Sequence, residues 1–161
     1  MLIAIDPGKS GGIATYQSMG SKAAPVIKLY PMPPTNVELN CLLAELDDMD
    51  SGKVFAIERL PKFVSGGHVS ASSMATLHEN YGYILGVADC LTASTPGKSQ
   101  VYTITPQVWQ KFISAGSKKD YGNKWKHHLF EIAKRLYPEV EGLTLKTCDA
   151  LLILHYAIHE I

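Results

Sequence analysis

The sequence predicts an α/β protein: a five-stranded mixed sheet, strand two antiparallel, with helices on both faces. Three observations carry this. Three short strand-like segments open the chain at hairpin spacing, two later strands are each reached through a helical segment, and the chain closes in a run of helices. The order along the chain is β-β-β-α-β-α-β-α-α-α. Its 161 residues suit a single domain over 1–161 with a core of its own.

Residues 2–5 are apolar and run into Asp6-Pro7-Gly8, which reads as a buried strand leaving into a turn. Residues 12–16, GIATY, form the second strand, and the short Gly-rich link makes it the antiparallel arm of a hairpin. Residues 26–30, VIKLY, alternate as a third strand that Pro31, Pro33 and Pro34 end. Asn36 reads as the N-cap of a helix over 37–49, with Val37, Leu39, Leu42, Leu43 and Leu46 on its apolar side. KVFAIE is a fourth strand, and it ends on a carboxylate, Glu58.

The stretch 59–73 holds Pro, two Gly and several Ser, so it reads as a loop. Met74, Leu77, Tyr81, Leu85 and Ala88 give a helix over 72–91. QVYTIT is the fifth strand, and Thr105-Pro106 opens a short helix through Phe112. Residues 114–123 read as a loop, and a basic amphipathic helix runs from Asn123 to Leu136 before Pro138. The last helix runs from Thr147 to the end and is apolar on most sides, so Asp149 in its first turn needs a reason.

Apolar residues make up 46% of the chain and charged residues 19%, an ordinary globular balance. No apolar run is long enough to span a bilayer, and no basic segment followed by an apolar one suggests a signal peptide. A cytoplasmic protein is expected. Cys41, Cys90 and Cys148 lack metal-type spacing and read as buried thiols in a reducing compartment. Net charge is zero, yet Lys118 to Arg135 holds six basic residues against two acidic ones. A local stripe of that kind meets phosphate even on a neutral protein.

Three carboxylates share an oddity. Asp6 ends the first strand, Glu58 ends the fourth, and Asp149 opens a buried helix. If strands one and four are parallel neighbours, Asp6 and Glu58 emerge side by side at the carboxyl edge of the sheet, where open α/β sheets place their sites. Asp149 delivered there would complete a cluster that repels itself unless a cation lies within it. Hard oxygen donors suit Mg²⁺ or Mn²⁺, whose usual work is phosphoryl transfer. Taken singly, each has a plainer reading: Asp6 starts a turn and Asp149 caps a helix. Glu58 has no capping duty.

The segments IAIDPGKSGGIA, VFAIERLPKF, TPQVWQKFI, a Lys-rich helix ending AKRLYP, and CDALLILHYAI stand in this order at suitable spacing over nearly the whole chain. Together they resemble the RuvC-like Holliday-junction resolvases, most closely the small phage-type members. The resemblance implies an RNase H-like fold. It implies a homodimer in a bacterial host cell that cuts four-way junctions or other branched DNA, with a Mg²⁺-activated water as nucleophile and Mn²⁺ as a substitute. It matches Asp6, Glu58 and Asp149 to the family's metal-holding acidic residues. The family's last helix carries two acidic residues, or a His and an Asp, three apart; the first of that pair falls at Lys146. Lys146 then either points its amine at the scissile phosphate, or salt-bridges Asp149 or Asp6, or marks a lost metal site. A binder of branched DNA without catalysis, and a nuclease acting on RNA–DNA hybrids, are the competing functions.

Arg59, Lys62, Phe63 and His68, on the loop after Glu58, are candidates for DNA backbone contact and stacking. Lys118, Lys119, Lys124 and Lys126 bring phosphate affinity, or serve only as a solvated helix face. Lys9 is a further phosphate contact. GKSGG lacks the full spacing of a phosphate-binding loop. Trp109 and Trp125 read as core or interface, and the helix over 72–91 as the dimer surface.

Overall fold

The computed structural model describes residues 1–18, 24–46, 52–61, 70–93 and 97–161, and its strands form one five-stranded sheet in the order β3-β2-β1-β4-β5. The strands are β1 (Leu2–Asp6), β2 (Gly12–Gln17), β3 (Val26–Pro31), β4 (Val54–Glu58) and β5 (Gln100–Ile104). β2 runs antiparallel to β1 and β3, while β1, β4 and β5 are parallel. β1 therefore has a hairpin partner on one side and a crossover partner on the other, as the chain order requires.

Successive side chains on a strand point to opposite faces. The odd-numbered Ile3, Ile5, Ile13, Phe55 and Ile57 pack with Leu39 and Leu43 of α1 (Asn36–Glu45) and with Ile84 and Ala88 of α2 (Ala71–Ala93). The even-numbered Ala4, Ala14 and Ala56 face the other way. Their small side chains let α6 (Cys148–Glu160) lie close over β1, β2 and β4. Trp109 of α3 (Pro106–Phe112) and Leu129 and Ile132 of α5 (Trp125–Leu136) complete that second core. Between α3 and α5 stand a single helical turn, α4 (Lys118–Tyr121), and a 3-10 turn at Gly122–Lys124.

Several expectations are corrected. The N-cap of α1 is Thr35, not Asn36: Glu38 N–H donates to Thr35 Oγ1 while Thr35 N–H donates to the Glu38 carboxylate. That reciprocal pair is a capping box, and it places the cap one residue earlier. α1 ends at Glu45, short of the expected 49; residues 47–49 lie outside the described part. Segment 114–123 is not all loop, because the Ser117 hydroxyl accepts from Lys119 N–H and starts α4. Cys41 and Cys90 are exposed on α1 and α2, and only Cys148 is buried. No helix among the described residues is long and apolar enough to cross a membrane.

Candidate active site

Asp6 and Glu58 share the parity of Ala4 and Ala56, so both side chains leave the sheet on the α6 face. They stand one residue beyond the paired Ile5 and Ile57, hence side by side at the carboxyl edge. α6 brings Asp149 to the same edge. Its approach depends on Gly12, where a Cβ would meet Lys146 O and Thr147 Cα at 3.2 Å and Tyr30 O at 2.9 Å. Gly11 is equally constrained, since a Cβ there would lie 2.2 Å from Asp6 O. The paired glycines of GKSGG thus serve close packing around Asp6 and α6.

Each carboxylate is held. Asp6 Oδ1 accepts from Gly8 N–H at 3.2 Å, so the turn-starting role and the place at the sheet edge coexist in one residue. Glu58 Oε2 accepts from Trp109 Nε1–H at 2.9 Å, and Trp109 is fully buried. Asp149 Oδ2 accepts from Lys126 Nζ at 2.5 Å, and the same ammonium lies 4.0 Å from Asp6 Oδ2. Cys148 Sγ–H donates to Asp149 Oδ1 at 3.3 Å, and burial together with that carboxylate pushes the thiol up to about 12, so it stays protonated.

The carboxylates disturb one another. Burial, then Asp149, raise Asp6 to about 6 against the pull of Lys126 and the Gly8 N–H. Burial, then Asp6, raise Glu58 to about 8 in spite of the Trp109 hydrogen bond. Burial works against the charge of Lys126, but Asp149 and Asp6 outweigh it and hold the amine above its ordinary value. The patch is short of positive charge and offers hard oxygen donors, which is the chemistry a divalent cation such as Mg²⁺ takes. Among the described residues no three His, Cys, Asp or Glu side chains are already gathered closely enough to hold an ion. Asp149 is turned to Lys126 instead.

Compared with solved structures, the chain matches Thermus thermophilus RuvC with a TM-score of 0.56 at 15% identity, over 98% of this chain and 95% of that one. The fold is that of RuvC. A second match is T. thermophilus RuvC in complex with Holliday junction substrate, with a TM-score of 0.59 at 13% identity over 99% and 95% of the two chains. No protein-family model and no curated protein matches the sequence.

On this RuvC fold the remaining candidates are distributed unevenly. Lys146 is exposed in the turn before α6, its N–H donating to Thr144 Oγ1, and it forms no ion pair among the described residues. Of the three alternatives for Lys146, the ion pair with Asp149 or Asp6 is not formed: α6 begins at Cys148, so Lys146 is not one helical turn behind Asp149, and Lys126 of α5 makes that pair instead. Lys9, Arg59, Lys118, Lys119 and Lys124 are exposed. Lys62, Phe63 and His68 lie outside the described residues. Two contacts at the site were not assigned from the sequence alone: Trp109 to Glu58, and Lys126 to Asp149, Lys126 having been read as a phosphate contact on the basic side of amphipathic α5.

Proposed function

We propose that this chain is a metal-dependent endonuclease acting on branched DNA, four-way junctions foremost. The observation that carries the reading is the meeting of Asp6, Glu58 and Asp149 at one sheet edge, where Asp6 and Glu58 are raised well above the usual carboxylate range by burial and by neighbouring carboxylates. The RuvC likeness supports the choice of substrate by analogy.

Asp6, Glu58 and Asp149 would hold Mg²⁺, and Mn²⁺ fits the same donors. When bound, the ion supplies an activated water and charge stabilisation for phosphodiester hydrolysis. The protein does the rest. Gly8 N–H and Trp109 Nε1–H orient Asp6 and Glu58. Lys126, once released from Asp149, presents its ammonium to the scissile phosphate. Lys9, Arg59, Lys118, Lys119 and Lys124 draw the DNA backbone to this edge, with an affinity that falls steeply with salt. Lys62, Phe63 and His68 keep their proposed place as DNA contacts, and Lys146 that of a phosphate contact. Two copies joined through the outward face of α2, where Gly82 and Gly86 leave open space, would give paired cuts across a two-fold junction.

A second reading, a branched-DNA binder without catalysis, draws on one observation: Lys126 already neutralises Asp149. One assay separates the two. An end-labelled four-way junction is incubated with protein and Mg²⁺ or Mn²⁺ beside Asp6→Asn. Cutting by the wild type alone supports the nuclease; tight binding with no cutting in either metal supports the binder. RNA–DNA hybrid offered in competition tests the hybrid-specific alternative.

A further inference from the structure

On the α1/α2 side of the β1–β2 turn lies a cleft of about 620 Å³, within the range of small-molecule sites. Pro7, the residue after Asp6, is part of its lining, so the turn that holds Asp6 is a wall shared by the carboxylate site and the cleft. Met32, Leu39 and Ile84 supply apolar surface. The wall from Pro31 to Pro34 is stiff, because each proline ring fixes its own φ and Met32 N–H donates to Gly11 O at 3.0 Å. The cleft is thus pre-formed.

Its polar groups differ in availability. Thr35 is occupied by the capping box with Glu38, and Thr76 Oγ1–H donates to Ser72 O at 3.1 Å. The Asn36 and Asn80 carboxamides make no hydrogen bond among the described residues, and each offers both donors and an acceptor. Lys9 and Lys146 also line the cleft, and neither forms an ion pair among the described residues. Apolar walls, with two carboxamides and two ammonium groups that have no partner among the described residues, together suit a nucleotide: a base to stack, a base edge to hydrogen-bond and a phosphate to neutralise.

From this we infer that the cleft takes one unstacked nucleotide of the bound DNA, next to the phosphate at Asp6. Its base lies against Met32 and the proline wall, within reach of Asn36 and Asn80, and its phosphate is held by Lys9 and Lys146. The inference rests on the branched-DNA reading and adds a base-holding subsite to it. It also gives Lys146 a task that the carboxylates do not require. Extruding a base costs least at a branch point, where stacking is already broken.

The test uses four-way junctions carrying single 2-aminopurine replacements at and beside the branch point, bound to the Asp6→Asn protein in Mg²⁺ so that the DNA stays whole. Anisotropy reports binding, and 2-aminopurine fluorescence reports unstacking. The expected result is severalfold brightening at one position next to the cut site. Asn80→Trp and Thr76→Trp, which fill the cleft from exposed or half-exposed positions of α2, each abolish the brightening and weaken junction binding roughly tenfold. A bound junction in which no position brightens, or brightening that survives in both filled variants, overturns the cleft and leaves the branched-DNA reading standing. Absence of junction binding by anisotropy overturns both.

Discussion

Lys126 Nζ lies 2.5 Å from Asp149 Oδ2 and 4.0 Å from Asp6 Oδ2, so one ammonium from α5 spans two carboxylates brought in by α6 and β1. An ion pair of this kind is in direct competition with any divalent cation that uses the same oxygens. Lys126→Gln frees Asp149, and the Mn²⁺ affinity measured by calorimetry rises about tenfold, equivalent to about 1.4 kcal/mol. Without metal the variant loses about 1 kcal/mol of stability, well short of the cost of breaking a fully buried pair, because the Lys126 side chain is 36% exposed. Unchanged or weaker Mn²⁺ binding in the variant contradicts the competition.

Trp109 acts through Glu58. Trp109→Phe keeps an aromatic ring in the core but removes the Nε1–H that Glu58 Oε2 accepts. The carboxylate then loses the contact that lowers its pKa, and the cutting profile moves toward alkaline pH. A stability loss of about 1–3 kcal/mol accompanies it, from the smaller side chain and the unpaired acceptor. A merely structural role for Trp109 would lower stability with no change in the pH profile.

Glu58 also sets a pH dependence for the metal-free fold. Its carboxyl is raised from 4.5 to about 8 by burial and Asp6, so between those values the folded protein holds a proton that the unfolded chain releases. The folded state binds more protons there, and stability falls as pH rises across the window; below it both states are protonated and above it both are ionised. Asp6, raised from 3.8 to about 6, adds a slope of the same sign at the acid end. In EDTA the Tm therefore declines from about pH 5 to about pH 8, and Glu58→Gln removes most of the decline at the alkaline end. Equal slopes in wild type and variant would show that Glu58 ionises freely in the fold.

The paired glycines carry a packing prediction. Gly12→Ala places a methyl 2.9 Å from Tyr30 O and 3.2 Å from Thr147 Cα, so either the β2–β3 ladder or the lead into α6 must shift. A loss of about 1–3 kcal/mol is expected in thermal unfolding, with cutting reduced further than stability alone accounts for because Asp149 moves with α6. Full cutting in a destabilised Gly12→Ala protein would separate the Gly12 contact from the placement of Asp149.

The sheet and two of its carboxylates were legible in the sequence for a local reason. Strand parity is a period of two, so Asp6 following Ile3–Ala4–Ile5 and Glu58 following Phe55–Ala56–Ile57 fall on one face once β1 and β4 are neighbours. What was not legible depends on helix packing. Lys126 reads as one more member of a basic stripe, because its reach to Asp149, 23 residues away, exists only after α5 and α6 dock on the alanine face. Trp109 reads as core, and it is core; that its indole N–H ends on Glu58 depends on where α3 settles after β5. Treating Lys146 as one helical turn behind Asp149 assumed a helix through both, yet α6 begins at Cys148 and leaves Lys146 in the turn before it. Cys41 and Cys90 were expected inside because cysteine usually is, but Leu39, Leu43, Ile84 and Ala88 take the buried positions of their helices.

The central claim is that Asp6, Glu58 and Asp149 make one divalent-cation site. Calorimetric titration of Mn²⁺ into wild-type protein and into Asp6→Asn, Glu58→Gln and Asp149→Asn tests it without DNA and without turnover. Saturable binding in the wild type that is lost in Asp6→Asn and in Asp149→Asn, and weakened in Glu58→Gln, is the predicted result. Binding that persists unchanged when Asp6 or Asp149 is neutralised would contradict the account.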